Sequence, residues 1–149
     1  MAVTATPIFV QAPLIGYLDM SVQTACTTRA KTATASLAGA NIIQLLNTTT
    51  NGCRIDSVQV NACSNAIAGQ TAANLVGIWI WDGTNAQLYA EVTVTATTLT
   101  SATVAAFTTT VTFANPLVLP STYKLYASVS QTTALASTAL QVFVFGGSY

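Results

Sequence analysis

Apolar and polar residues alternate with a period of two in segment after segment from Leu18 to Phe145, and clusters of Gly, Asn, Pro and Ser separate the segments. That period puts successive side chains on opposite faces of an extended chain, so it selects strands over helices. The sharpest case is a hairpin. Leu75 to Trp81 runs into Asp82-Gly83-Thr84-Asn85, after which Leu88, Ala90, Val92 and Val94 alternate with Tyr89, Glu91, Thr93 and Thr95. Asp-Gly supplies the positive φ that a tight turn requires. The first strand is apolar on both faces, with Val76, Ile78 and Ile80 opposite Trp79 and Trp81. One face is therefore expected in the core, the other under a loop or a partner.

Six further segments carry the same signal. Leu18, Met20 and Val22 alternate with Asp19, Ser21 and Gln23; Ile42 to Asn47 ends at a Thr-Thr-Thr-Asn-Gly cluster. In Arg54 to Ala62, Val58, Val60 and Ala62 share a face while Ile55 has the opposite parity, which predicts a bulge near Asp56 and Ser57. Phe107 to Phe113, ended by Asn115-Pro116, then Tyr123 to Val129 and Leu140 to Phe145 complete a set of eight strands. Phe143 and Phe145 lie on the face opposite Leu140, Val142 and Val144. The Thr/Ala-rich stretch from Thr24 to Gly39, holding Arg29 and Lys31, reads as a connection with a short helical turn as the alternative. Residues 1–15 contain Pro7 and Pro13 and no sustained period, which marks an extended N-terminal arm ahead of one domain, 16–149. With no βαβ alternation, the expected fold is an all-β antiparallel sandwich of jelly-roll type.

Composition narrows the function. Charged residues make up 5% of the chain and histidine is absent, against about 25% charged in an ordinary domain. A monomer depends on charge for solubility, so the deficit predicts a subunit whose surface is covered by neighbours. Arg29, Lys31, Arg54 and Lys124 are scattered and net charge is zero, which argues against a nucleic-acid partner. The apolar run Leu75 to Trp81 is far short of the ~20 residues of a membrane helix. The first residues lack the basic and apolar regions of a secretory signal, so cytoplasmic synthesis is expected.

Without histidine, no Ser-His or Cys-His pair exists, and an enzyme is not expected. The four acids read as a turn residue (Asp82), a partner for Arg54 (Asp56) and solvated strand faces (Asp19, Glu91). Cys26, Cys53 and Cys63 lack metal-ligand spacing and read as free, buried thiols; no metal or cofactor is expected. Gly146-Gly147 reads as a turn releasing a tail. Trp79 and Trp81, with Tyr89 across the hairpin, offer a platform for sugar rings, although such faces more often pack in a core or an interface. Candidate oligomer or partner contacts are Pro7, Phe9 and Pro13 in the arm, Trp79, Trp81, Phe143 and Phe145.

Several segments in order resemble a family of small virion proteins of tailed bacteriophages, of the minor structural or head-decoration (cement) type. They are Gly52 to Val60, the strand into Trp81-Asp82-Gly83, Leu88 to Val94, Asn115 to Pro120, Leu125 to Ser128 and the terminal Gly146-Gly147-Ser148-Tyr149. Ser148 stands where such proteins typically carry Asp. The resemblance implies a sandwich subunit, usually a homotrimer, assembled in the host cytoplasm onto the outer capsid surface, with the major capsid protein as partner and no catalysis. A subunit of an extracellular or viral filament, its arm completing a neighbour's sheet, and a carbohydrate-binding sandwich are the alternatives.

Overall fold

A computed structural model describes residues 12–48, 50–63, 70–98, 105–135 and 138–149. Eight long strands carry the architecture: β1 (Ala12–Met20), β3 (Ile43–Asn47), β4 (Cys53–Ala62), β6 (Asn74–Trp81), β7 (Asn85–Val94), β9 (Thr108–Leu119), β10 (Lys124–Val129) and β11 (Leu140–Ser148). Three two-residue strands join them, β2 (Thr32–Ala33), β5 (Gln70–Thr71) and β8 (Thr97–Thr98). A front sheet has the order β1-β11-β4-β9, a back sheet β2-β7-β6-β10-β3, and β5 pairs with β8 alone.

The topology follows from nesting. β6 and β7 form the central hairpin, and β4·β9, β3·β10 and β1·β11 pair outward from it in turn, all antiparallel. Rolling this long double ribbon onto itself adds β10 to β6 and β11 to β4. The product is an antiparallel jelly-roll sandwich, as the strand pattern predicts.

The hairpin turn is held by one carboxylate. Asp82 Oδ1 accepts the N–H groups of Thr84 (2.9 Å) and Asn85 (2.8 Å), and Gly83 takes φ +103°. These backbone bonds, Asn85 foremost, hold the Asp82 carboxyl below its ordinary value of 3.8. A depressed folded-state value means that the turn's stabilisation is present above pH 3.8 and is lost as pH falls through the folded value. Protection of the Thr84 and Asn85 amides, taken against the intrinsic exchange rate at each pH, is expected to fall on acidification through the folded-state value, and to lose this step in Asp82→Ala.

The bulge in β4 falls at Asp56. Against β11, Phe145 pairs with Ser57 and Gly146 with Ile55, so Asp56 is skipped and Ile55 turns inward with Val58 and Val60. Against β9, Ile55 pairs with Leu117 and Ser57 with Thr112. The strand expected to end at Asn115-Pro116 therefore continues to Leu119, with Pro116 in the slipped stretch of an edge strand where no ladder N–H is needed. Gly146 and Gly147 are likewise strand residues, paired with Ile55 and Arg54, and not a turn.

Two corrections concern the N-terminal region. Of the arm expected over 1–15, residues 12–15 are strand, paired with Ser148 to Phe145, while residues 1–11 lie outside the described residues. The strand also stops at Met20, where Asp19 Oδ1 takes the Ser21 N–H (2.8 Å) and the Thr133 hydroxyl caps the Met20 carbonyl (2.6 Å). Val22, expected inward, is exposed.

Val76, Ile78, Val92, Val94, Leu125, Ala127 and Val129 of the back sheet meet Ile55, Val58, Val60, Leu140, Val142 and Val144 of the front sheet in the main core. Burying each such side chain contributes about 1.5–3 kcal/mol. The other face of β6 is covered from within the chain. Leu37, Ala40 and Ile42, which follow a single 3-10 turn at Thr34–Ser36, close over Trp79 and Ala86. Trp79 is 1% exposed, and its indole N–H donates to Ser128 Oγ at 2.8 Å. Ser128→Ala leaves that buried donor without a partner, and a stability loss of about 1–3 kcal/mol is expected in urea titrations. An unchanged midpoint would show that the bond is not needed.

Candidate functional site

The strand period that fills the core also fixes the outer face of the front sheet. With Leu140, Val142 and Val144 inward, Gln141, Phe143 and Phe145 project outward from β11, beside Asp19, Tyr17 and Ile15 of β1. Across β4 and β9 the same rows continue as Gln59 and Thr110 beside Phe143, and Ser57 and Thr112 beside Phe145. The β1–β11 half is therefore apolar, the β4–β9 half amide and hydroxyl.

Aromatic contacts organise the apolar half. The rings of Tyr17 and Phe143 lie 5.1 Å apart, and those of Phe143 and Phe145 stack at 6.4 Å with 14° between planes. Ile15 is 67% exposed, Tyr17 49% and, at the far edge, Val118 58%. Among the described residues, three of the six large hydrophobic residues that stand most exposed thus share one face. Partial burial, then the Asp19 carboxylate, raise the Tyr17 phenol above its ordinary value of 10.0, so the strip carries no charge there. Charges sit only at the two ends of the face: Asp19 at one, Arg54 and Asp56 at the other. Arg54 Nε lies 2.9 Å from Asp56 Oδ1 without a hydrogen bond, while Nη2 bonds Oδ2 at 3.2 Å.

On the polar half, Gln59 Nε2 donates to Asn61 Oδ1 (3.0 Å) and Thr108 Oγ1 (3.1 Å), and in the β1–β11 half Gln141 Nε2 donates to the Tyr17 hydroxyl (3.1 Å). These groups satisfy one another, so covering them requires little new desolvation of unpaired polar atoms. β1 is also an edge strand whose register with β11 runs through nine residue pairs without a shift. β9, the opposite edge, is slipped and carries Pro116. A nearly uncharged edge strand of unbroken register beside an apolar strip is a surface suited to association.

The expected contacts divide accordingly. Phe143 and Phe145 lie on this face, and Pro13 is exposed at the start of β1 opposite Gly147. Pro7 and Phe9 lie outside the described residues. Trp79 is interior, and Trp81 is half-buried, its N–H bonded to Thr34 Oγ1 (2.9 Å) and its ring covered by Lys124 Nζ at 4.9 Å. Tyr89 packs edge-on against Phe113 at 5.6 Å. These rings therefore pack as the preferred reading has it, and the aromatic sugar platform that was its alternative on the hairpin does not form. Ile15, Tyr17 and Val118 were not among the expected contacts. The signal for the first two is the unbroken run Leu14-Ile15-Gly16-Tyr17-Leu18, apolar on both faces.

Nucleophilic chemistry is disfavoured at Cys53 and Cys63. Cys26, Cys53 and Cys63 are free, only Cys53 fully buried and the other two half-buried. Burial raises the Cys53 thiol, and burial followed by Asp19 pushes Cys63 up to about 11, so both are protonated at neutral pH. Among the described residues no group of three His, Cys, Asp or Glu side chains is placed to hold a metal ion. Glu91, expected to be solvated, pairs with Arg29 at 2.6 Å. Comparison with protein-family models and with curated proteins yields no match to this chain.

Proposed function

We propose that this chain is a structural virion subunit of the capsid-decoration type, which self-associates through the outer face of its front sheet and sits on the outer surface of a tailed-phage head. The strip of Ile15, Tyr17, Phe143 and Phe145 carries the reading, because it is an apolar face, with Ile15 and Tyr17 exposed and the two phenylalanines half-buried, on a chain with 5% charged residues. A strip confined to the β1–β11 half suits convergence about an axis more than full face-to-face stacking, so a closed homotrimer is the expected form. Weak contacts repeated over a shell then stabilise it through multivalency. The order of the resembling segments supports the same reading, and the jelly-roll sandwich is compatible with it.

Native mass spectrometry at micromolar concentration, together with co-pelleting on tailed-phage heads that lack the protein, tests this. A trimer mass and saturable pelleting are expected. A monodisperse monomer that stays in the supernatant overturns the proposal, and open polymers redirect it to a filament subunit.

Removal of residues 1–11 is expected to leave the thermal unfolding of the sandwich intact while weakening pelleting. Removal of 1–15 is expected to destabilise the fold, because it takes the Ala12 to Ile15 half of the β1 ladder. Equal stability of the two truncations would show that this half of β1 contributes nothing to the sheet.

A further inference from the structure

On the back sheet, the segment from Thr24 to Lys31 crosses the outer face as a strap. One end is tied to β10, where the Cys26 N–H donates to the Val129 carbonyl at 2.6 Å. The other is tied to β7, where Arg29 Nε donates to Glu91 Oε1 at 2.6 Å. Between the ties, the sheet register places Gly77 between Ser128 and Glu91. A Cβ at Gly77 would stand 2.7 Å from Ser128 Oγ and 2.9 Å from Trp79 Nε1, so the glycine lets those side chains close over the sheet, and beside them under the strap lies a cavity of about 280 Å³.

The lining has a definite character. Leu75 and Leu88 supply an apolar floor, and Thr27, Ser128 and Ser130 supply hydroxyls. Ser128 Oγ accepts from Trp79 and Ser130 Oγ donates to Asn74 Oδ1 (2.9 Å), so the two serine hydroxyls are each oriented by a second group. The Arg29–Glu91 pair uses Nε and a single carboxylate oxygen. Arg29's two terminal amino groups and Glu91's other oxygen make no hydrogen bond to the described residues, and the two side chains remain 62% and 35% exposed.

We propose that this cavity binds one neutral pyranose ring, with Arg29 and Glu91 as the pair that recognises adjacent hydroxyls. Size fits, since 280 Å³ is the room of about nine waters, enough for a single ring and too little for a drug-sized ligand. Charge fits as well. An anion meets Glu91 and a cation meets Arg29, whereas an uncharged polyol uses both, donating to the free carboxylate oxygen and accepting from the guanidinium. The apolar floor takes the C–H face of the ring. This inference does not rest on the decoration reading and involves none of the residues on the front face.

Titration of the full chain with D-glucose, D-galactose, D-mannose and N-acetyl-D-glucosamine, followed by 15N–1H spectra, tests the site. Saturable shifts are expected for at least one of these at the amides of Cys26 to Arg29, Gly77, Glu91 and Ser128 to Ser130. A ligand of roughly a dozen non-hydrogen atoms is expected to bind in the millimolar range. Arg29→Ala and Glu91→Ala, both at exposed positions, are each expected to weaken binding by about tenfold or more while leaving the rest of the spectrum unchanged. Tighter binding of an oligosaccharide ending in the same sugar assigns the site to a glycan terminus, and equal binding to the free monosaccharide. Absence of saturable shifts up to about 100 mM for all four sugars overturns the proposal, that limit being far above the expected range. Unweakened binding in both variants, or shifts confined to the Tyr17 and Phe143 face, overturns it too.

Discussion

Gly146→Ala is expected to cost about 3 kcal/mol or more, at the upper end of what overpacking a well-filled site does. A Cβ built at Gly146 collides with the Arg54 carbonyl oxygen and stands 2.9 Å from the Arg54 carbonyl carbon and 3.0 Å from Ile55 Cα. All three are backbone atoms of the neighbouring strand, so no rotamer change relieves the clash. The approach is close because Asp56 is skipped in the β4–β11 ladder, which draws Arg54 and Ile55 toward β11 just where Phe145 hands over to Gly146. A domain of this size has roughly 5–15 kcal/mol in total, so the loss is a large share. Urea unfolding of the variant against Gly39→Ala provides the comparison. At Gly39 the nearest atom is the Ser36 carbonyl oxygen at 3.7 Å, an ordinary contact, and little change is expected there. Equal midpoints for the two variants would mean that the bulge relaxes at no cost.

That glycine marks the boundary of what a linear reading reaches. The parity break between Ile55 and Val58 is local, so the bulge at Asp56 is legible in one strand's own residues. The consequence for Gly146 is not, because it depends on which strand lies beside the bulge, some ninety positions away in the chain. The central hairpin reads almost residue for residue for the same local reason: its turn carries its own Asp and Gly, and its strands their own alternation. Trp79 is different. A strand apolar on both faces announces that something covers the outer one, but whether a loop or a partner does so is decided by Leu37, Ala40 and Ile42, whose spacing has no strand period. Likewise Glu91 looks solvated until Arg29 arrives from the strap, 62 residues earlier. On the front face, Phe143 and Phe145 were recognisable as outward-facing from β11 alone. Their partnership with Ile15 and Tyr17 appears only once β1 is known to begin at Ala12 and to pair with β11.

Phe143→Asp is expected to convert the proposed oligomer to a monomer while the sandwich stays folded. In the isolated subunit the position is half-buried on the outer face, touching Tyr17 and Phe145, and losing two aromatic contacts costs about 0.5–1.5 kcal/mol each. Water still reaches the new carboxylate there, so the charge itself adds little. In the proposed assembly the same carboxylate is enclosed among Ile15, Tyr17 and Phe145 with no cation on the strip to meet it. The desolvation of an unpaired charge then falls wholly on the associated state and exceeds what the strip gains by association. Circular dichroism is expected to show unchanged strand content with a modestly lower melting temperature, and sedimentation velocity a shift from oligomer to monomer at micromolar concentration. Val22→Asp places the same charge on a residue that is 73% exposed and outside the face, and is expected to leave the oligomer intact. Because the strip carries no charge, the parent assembly is expected to resist high salt, which screens ion pairs and strengthens apolar contacts. An oligomer that survives Phe143→Asp, or one that salt dissolves, would place the association surface elsewhere on the molecule.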